Sequence, residues 1–236
     1  MADSKLHILA FGAHADDVEI GMAGTIAKYA KEGKKIGICD LTEAELSSNG
    51  TVALRKSEAK RAADHLGVEV RENLAIPDRG IVINDENIKK VVTVIRKYKP
   101  TIIFAPYYED RHPDHGNCAK LVKEAFFSAG IKNFQDEDGQ EPHKAQSLYF
   151  YMINGFHRPN FVIDISAYMD DKIVSLQTYK SQFQKTDSTI DTPLVNGYIE
   201  TIENRERLFG KEVGIMYAEG FIVEKPLLIN KDLLGE

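Results

Sequence analysis

The stretch LHILAFGAHADDVEIGMAGTIAKYAKE, residues 6–32, decides the fold predicted for this chain of 236 residues. Its first part, Leu6 to Phe11, is apolar except for one histidine, which is typical of a buried strand. From Val18 to Glu32, small and apolar residues recur on one side at helical spacing, which predicts a helix. A buried strand that leads directly into a helix is the first unit of an alternating α/β fold.

The same alternation continues through the first half of the chain. Each apolar run predicts a strand, and each amphipathic stretch predicts a helix. The strands are expected at residues 35–41, 68–74 and 101–105, and the helices at 54–66, 87–98 and 115–129. Strands that are apolar throughout indicate a parallel sheet covered by helices on both faces. With right-handed crossovers, the prediction is a Rossmann-like, doubly wound, mostly parallel sheet of strand order 3-2-1-4-5.

The second half of the chain has a looser pattern. Residues 134–142 and 186–193 are polar and predict loops. The remaining elements are predicted as strands at residues 147–152 and 160–165 and as helices at 168–183 and 194–209. The sequence contains neither an internal repeat nor a composition change that marks a linker. The prediction is therefore one domain over residues 1–236, with a smaller, mixed C-terminal part.

Composition and charge exclude several classes of protein. The net charge is −6 and no run of Lys and Arg stands out, which argues against a nucleic-acid surface. No apolar run reaches the ~18 residues of a membrane span, and the N-terminus has the pattern of a strand rather than a signal peptide. The two cysteines, Cys39 and Cys118, lie far apart and form no CxxC motif, as in a reducing compartment. We therefore predict a cytoplasmic protein that binds neither nucleic acid nor membrane.

Two clusters of histidine and aspartate follow the first and the fourth predicted strands. They read GAHADD at residues 12–17 and DRHPDH at residues 110–115. In the predicted strand order these two strands are neighbours at the point where the winding of the sheet reverses. Ligands of such sheets bind in the crevice at that point, outside the carboxyl ends of the strands. The two clusters are therefore expected to face each other.

Each cluster alone also has a purely structural interpretation. Asp16 or Asp17 can cap the helix that follows the first strand. In the second cluster, Pro113 suits the first helical turn and Asp114 suits the positive end of the helix dipole. The occurrence of both clusters at facing loops favours a functional site over two independent helix starts.

The clusters supply the ligands of a catalytic metal. Zinc in such sites takes three protein ligands from His, Asp or Glu and keeps a position for water. His14, Asp17 and His115 provide such a set, with the first two residues three positions apart. Asp16 would then be left beside the bound water, where it can take a proton as general base.

The second loop offers a further pair, His112 and Asp114. A carboxylate beside an imidazole can orient the ring and favour its protonated form. We therefore predict that Asp114 orients His112, which would act as an electrophile or a general acid.

The sequence resembles the LmbE-like, or PIG-L, family of zinc-dependent N-acetylglucosamine deacetylases. The family pattern is a strand followed by His-Pro-Asp-Asp and, later, Asp-x-His-Pro-Asp-His. This chain has both motifs, with Ala15 in place of the first proline. The stretch from Gly50 to Gly67 also resembles the family's Gly-Thr…Arg-x-x-Glu…Leu-Gly segment, and residues 73–78 (NLAIPD) resemble its Leu-x-x-Pro-Asp segment. The resemblance covers nearly the whole chain.

The resemblance implies a role for each candidate residue. One zinc ion per chain, for which other divalent metals can substitute, would be held by His14, Asp17 and His115, with Asp16 as the base and His112 at the oxyanion. Arg55 would bind sugar hydroxyls or an acidic aglycone, although the residue pattern alone favours a helix-surface cation. Tyr198 would donate to the oxyanion, although a half-buried helix tyrosine is an equal alternative.

The resemblance is closest to the branch that serves bacillithiol biosynthesis, whose substrate is N-acetylglucosaminyl-L-malate. It also implies a homo-oligomer, for example a hexamer. Two other functions are compatible with the residues. Asp16, Asp17, Asp110 and Asp114 could bridge a second ion in a two-ion phosphoesterase. A non-catalytic metal- or nucleotide-binding module is the third hypothesis, although the first strand is not followed by GxGxxG.

Overall fold

The computed structural model describes residues 5–228. Its strands are β1 Ile8–Gly12, β2 Ile36–Asp40, β3 Val70–Asn73, β4 Ile102–Pro106, β5 Ser147–Tyr151, β6 Phe161–Asp164 and β7 Ala218–Ile222. Its helices are α1 Asp17–Lys31, α2 Val52–Leu66, α3 Asp85–Tyr98, α4 Pro113–Ser128, α5 Met169–Gln177, α6 Lys180–Phe183 and α7 Tyr198–Glu212, with a 3₁₀ turn at Pro193–Val195. The strands and helices alternate through the first half, as the sequence predicts.

The strands form one sheet of order β3-β2-β1-β4-β5-β7-β6. The first five strands in this order are parallel, and β7 runs antiparallel to both β5 and β6. In the central register, Ile8 of β1 lies opposite Ile36 of β2 and Ile102 of β4. The predicted order 3-2-1-4-5 and the mixed C-terminal part are therefore confirmed.

The central strands are buried on both faces of the sheet. Leu9 and Phe11 of β1 pack into one core cluster, and Ile8 and Ala10 pack into the other. Burial of each large side chain stabilises the fold by roughly 1.5–3 kcal/mol. Because both faces are covered by helices, the sequence of β1 is continuously apolar rather than alternating.

The helix predicted over residues 168–183 is two helices, so this prediction is wrong in one respect. The chain leaves helical geometry at Tyr179, whose φ and ψ are −84° and 60°. The side chain of Tyr179 is fully buried, and its hydroxyl donates to Glu19 at 2.8 Å. The break between α5 and α6 therefore lets this tyrosine enter the core.

The helix predicted over residues 194–209 begins later than expected. A 3₁₀ turn occupies Pro193–Val195, and α7 starts at Tyr198. Gly197 between them has φ +74°, in the left-handed region that favours glycine. This turn places Tyr198 at the first position of its helix.

The sequence pattern does not predict β7, because the strand contains a buried carboxylate. Glu219 is fully buried and accepts hydrogen bonds from the backbone N–H groups of Gly24 and Thr25 at 2.9 and 2.7 Å. Lys172 neutralises it at 2.6 Å. Helix α1 is interrupted at Met22, which departs from helical geometry. The Glu219 carboxylate therefore accepts the N–H groups that follow this interruption.

Both cysteines are free and buried. No helix within residues 5–228 has the length and apolar character needed to cross a bilayer.

Candidate metal centre and active site

The two clusters of histidine and aspartate meet at the carboxyl ends of β1 and β4. These strands are hydrogen-bonded neighbours, and α1 and α4 begin just beyond them, at Asp17 and Pro113. The ring of His14 lies 4.9 Å from that of His112 and 5.7 Å from that of His115, measured between centroids. The structure therefore brings together the two loops, as the strand order predicts.

Asp17 lies between two imidazoles. Its Oδ1 is 3.2 Å from His115 Nε2, and its Oδ2 is 3.6 Å from His14 Nδ1. Oδ2 also accepts the backbone N–H of His14 at 2.9 Å, which fixes the carboxylate in the loop. Burial would raise the pKa of Asp17, but the charged His115 and His14 hold it well below its usual range.

The outer nitrogen of each imidazole faces a second carboxylate. His14 Nε2 lies 3.3 Å from Asp78 and 3.7 Å from Asp114. His115 Nδ1 lies 3.0 Å from Asp110, close enough for an ion pair although the atoms are not aligned as a hydrogen bond. Histidines that bind metals usually present one nitrogen to the ion and the other to such a partner.

The charge balance around His115 also suits a cation. Burial would lower the pKa of this imidazole, but Asp17 and Asp110 raise it to about 9. The site therefore stabilises positive charge between the imidazoles and Asp17. Two imidazole nitrogens and a carboxylate with carboxylate partners behind them fit zinc or a similar divalent ion.

Potential ligands are closest together in two groups. Within residues 5–228, donor atoms lie within 4.8 Å of one another in the sets His14, His112, His115 and His14, Asp78, Asp114. The predicted set differs from both by its use of Asp17, which turns a different oxygen to each ring. All three predicted ligands nevertheless line one cavity of about 330 Å³.

Asp16 stands apart from the imidazoles. Its Oδ2 lies 3.2 Å from Arg55 Nη1, and only 4% of the residue is exposed. Its φ of 108° is unusual for a residue with a side chain, and the side chain makes no capping hydrogen bond to α1. Burial raises its pKa to about 6, although Arg55 opposes the rise. Asp16 therefore occupies the N-cap position of α1, but its carboxylate does not cap the helix and is directed to Arg55 instead.

Arg55 is a buried member of the site. Its side chain is 4% exposed, Nη1 pairs with Asp16, and Nη2 donates to the carbonyl of Ala15. The alternative of a helix-surface cation is therefore wrong. The guanidinium is in the cavity wall as predicted, but it is already committed to the loop that carries Asp16.

His112 and Asp114 do not form the predicted carboxylate–imidazole pair. His112 is the N-cap of α4, and its Nδ1 accepts the backbone N–H of Asp114 at 3.3 Å. The Asp114 carboxylate instead accepts the backbone N–H of Arg79 at 2.9 Å and contacts its guanidinium at 2.8 Å. Burial, together with the charged His115 and His14, lowers the pKa of His112 rather than raising it. The predicted pair is therefore wrong: the Asp114 carboxylate lies 3.7 Å from His14 Nε2, and the His112 ring accepts through Nδ1, which favours its neutral form.

Tyr198 reaches the cavity from the start of α7. Its hydroxyl lies 3.0 Å from Asn154 Oδ1 and 3.1 Å from the carbonyl oxygen of Ile153, so its one proton is shared between these two acceptors. Burial raises its pKa. The tyrosine is thus half-buried in a helix and also part of the cavity wall. The two interpretations of the sequence, a helix tyrosine and a residue of the site, are therefore compatible.

Three residues of the site are missed by reasoning from the sequence alone. Asp78 and Arg79 support the histidine loops, and Asn154 contacts both Tyr198 and Asp110. Asp78 belongs to the segment NLAIPD that resembles the family, and Asn154 follows β5, the next strand at the same edge of the sheet. Apart from the resemblance of the NLAIPD segment, the signal that the sequence offers is the position of these residues after strands.

Comparison with protein families gives one clear match. The family described as PIG-L, GlcNAc-PI de-N-acetylase, matches residues 9–126, a range that contains both histidine loops. Diacetylchitobiose deacetylase of Thermococcus kodakarensis is 35% identical over 227 residues, which cover 90% of this chain and 81% of that protein.

Two further relatives cover most of the chain. Probable N-acetyl-alpha-D-glucosaminyl L-malate deacetylase 2 of Bacillus anthracis is 23% identical over 86% of this chain and 93% of that protein. Among solved structures, the conserved protein TT1542 of Thermus thermophilus is 34% identical and superposes with a TM-score of 0.87, over 95% of this chain and 97% of that one.

Proposed function

The chain belongs to the PIG-L family of GlcNAc-PI de-N-acetylases, and from this premise we propose that it is a metal-dependent amide hydrolase acting on a small N-acetylglucosaminide. The observation that carries the proposal is the division of labour between adjacent aspartates. Asp17 contacts two imidazoles, whereas Asp16 is buried against Arg55 and burial raises its pKa to about 6. A ligand and a free base at successive positions are what metal-assisted hydrolysis requires.

We assign the metal to His14, Asp17 and His115, with zinc as the preferred ion, one per chain. A divalent ion held there would supply Lewis acidity to the acetyl carbonyl and to the attacking water. The partners of these histidines, Asp78 and Asp110, would hold the rings in place. Mutation of such supporting carboxylates commonly lowers metal affinity by about 10–100-fold.

Asp16 would take a proton from the attacking water. Arg55 contacts its Oδ2 at 3.2 Å and so fixes the orientation of the carboxylate. The acquired proton would then pass from Asp16 to the leaving amine. His112 is less suited to this transfer, because its Nδ1 accepts the Asp114 N–H. A protonated ring would turn a donor toward that N–H group.

His112 would donate from Nε2 to the oxyanion that forms on the acetyl group. A preorganised donor of this kind is worth roughly 3 kcal/mol in the barrier. Tyr198 lies in the same cavity, where its hydroxyl now donates to Asn154. We propose that the hydroxyl turns to the substrate when the acetyl group is bound.

The substrate proposed from the sequence is N-acetylglucosaminyl-L-malate of the bacillithiol pathway. A malate group needs a cation in the cavity, and Arg55 is committed to Asp16. Arg111 is an exposed cation in the cavity wall and is the better candidate for that role. The 35% identity to a diacetylchitobiose deacetylase supports a neutral disaccharide as the second candidate. A cytoplasmic homo-oligomer, for example a hexamer, stays a prediction from the sequence.

The two-ion phosphoesterase has little support from the geometry. Its second ion would need carboxylates that are free of other partners. Asp16 pairs with Arg55, and Asp114 pairs with Arg79. Asp110 accepts from Asn154 at 2.9 Å and from the backbone of His112 at 2.8 Å.

The test is to incubate the zinc-loaded protein with N-acetylglucosaminyl-malate, diacetylchitobiose and N-acetylglucosamine. Release of primary amine and acetate in equal amounts, abolished by a chelator and restored by zinc, is the expected result. The Asp16→Asn variant is the matched control for contaminating activity. Absence of amine from all three sugars, or phosphate release from a phosphate ester instead, would overturn the proposal.

A further inference from the structure

Asn154 contacts the candidate site through its backbone N–H and through both ends of its side-chain amide. Its backbone N–H donates to Asp110 Oδ2 at 3.0 Å, and its side-chain Nδ2 donates to Asp110 Oδ1 at 2.9 Å. Its Oδ1 accepts from the Tyr198 hydroxyl at 3.0 Å. One residue therefore holds both oxygens of a carboxylate and the hydroxyl of a residue across the cavity.

The carboxylate that Asn154 holds is the one behind His115. Asp110 Oδ1 also accepts the backbone N–H of His112 at 2.8 Å and lies 3.0 Å from His115 Nδ1. With three N–H groups fixing it, Asp110 has a single orientation. That orientation directs the other nitrogen of His115, Nε2, toward Asp17 at 3.2 Å.

The position of Asn154 is itself fixed from outside the site. Arg205 is buried and donates to the carbonyl of Ile153 at 3.0 Å and to the carbonyl of Ile20 at 3.1 Å. Gly155, the next residue, has φ +77°, so the chain turns away directly after Asn154. The asparagine therefore sits on a rigid support rather than on a free loop.

We propose that Asn154 is a positioning residue: it orients His115 through Asp110 and, until substrate binds, holds the Tyr198 hydroxyl beside the same cavity. The inference rests on the proposed function, since it takes His115 as a metal ligand. An amide is required because it donates to Asp110 and accepts from Tyr198 at once. A carboxylate at this position would face Asp110 with like charge.

The test measures zinc affinity without any substrate. Metal-stripped wild type, Asn154→Ala and Asn154→Asp are titrated with zinc against a chromophoric chelator. We expect the affinity to fall about 10–100-fold in Asn154→Ala and further in Asn154→Asp. Asn160→Ala is the matched control, because Asn160 lies on the same segment but bonds to the backbone of Val223. Its zinc affinity should equal that of the wild type.

A double variant separates positioning from general damage. If Asn154 acts through Asp110, Asp110→Asn combined with Asn154→Ala should lose no more zinc affinity than Asp110→Asn alone. Additive losses, or Asn154 variants that bind zinc within about twofold of wild type, would overturn the inference. Melting curves in chelator verify the fold, and Asn154→Asp replaces Asn154→Ala if the latter does not fold. Since no sugar is present, the result is independent of whether the protein deacetylates one.

Discussion

Asp16, in the loop after β1, is held differently from Asp110 and Asp114, which follow β4 at the same edge of the sheet. Burial would raise the pKa values of Asp110 and Asp114, but His115 lowers that of Asp110 and His14 lowers that of Asp114, each with help from backbone N–H groups. In the first loop, Asp16 has one cationic side chain as its partner and a raised pKa. Imidazoles and N–H groups around a carboxylate favour its ionised form, whereas burial against a single cationic partner leaves Asp16 able to accept a proton.

The largest effect is expected from Asp16→Asn, which removes the one carboxylate that differs from the rest. We expect kcat for amine release to fall by about 10²–10⁴-fold, the usual contribution of a general base. Zinc should stay bound at one ion per chain, because the predicted ligands are unchanged. Steady-state kinetics and metal analysis of the same sample check both parts. If the variant loses zinc as well as activity, Asp16 is a metal ligand. The distinction between Asp16 as base and Asp17 as ligand would then be wrong.

The next effect is expected from His112→Ala. Loss of an oxyanion donor should lower kcat by about 10²–10³-fold, with a smaller change in KM. His112→Gln is the matched variant, because its amide can still donate into the cavity and should recover part of the rate. If the glutamine variant is as slow as the alanine variant, the ring acts as a proton donor rather than a hydrogen-bond donor.

A third variant, Asp114→Asn, tests the supporting role of the second loop. Its new NH₂ group would oppose the N–H groups of Arg79 that the carboxylate now accepts. We expect zinc affinity to fall about 10–100-fold while kcat at saturating zinc changes little. Asp138→Asn, on an exposed loop, is the control and should bind zinc normally. A fall in kcat with unchanged zinc affinity would mean that Asp114, like Asp16, acts in the reaction rather than in metal binding.

The first half of the fold can be predicted from the sequence because its signals are local. The continuous apolar run of β1 and the helical spacing of α1 each lie within one window of residues. The motif loops follow from the same pattern, since strand order alone makes them neighbours. β7 is not predictable in this way, because Glu219 is tolerated in a buried strand only through Lys172 and α1.

The pairing inside the site is also not predictable, because it depends on contacts between distant residues. His112 and Asp114 are two positions apart, so the sequence favours a pair between their side chains. The Asp114 carboxylate instead turns to Arg79, 35 residues away, and leaves its backbone N–H to His112. Asn154 is likewise distinguished by contacts 44 residues away in each direction, to Asp110 and Tyr198.

The smallest effect, and the most selective, is expected from the arginines of the cavity wall. Arg111→Ala should raise KM for N-acetylglucosaminyl-malate about tenfold, the worth of one charge-assisted hydrogen bond, and leave diacetylchitobiose unchanged. Arg55→Ala should instead slow both substrates alike and destabilise the protein by about 3 kcal/mol, because it leaves buried Asp16 unpaired. Paired kinetics on the two sugars and thermal melts separate these outcomes. If Arg55→Ala slows only the reaction of the malate conjugate, Arg55 recognises the malate group. Its contact with Asp16 would then matter less for the reaction than its contact with the substrate.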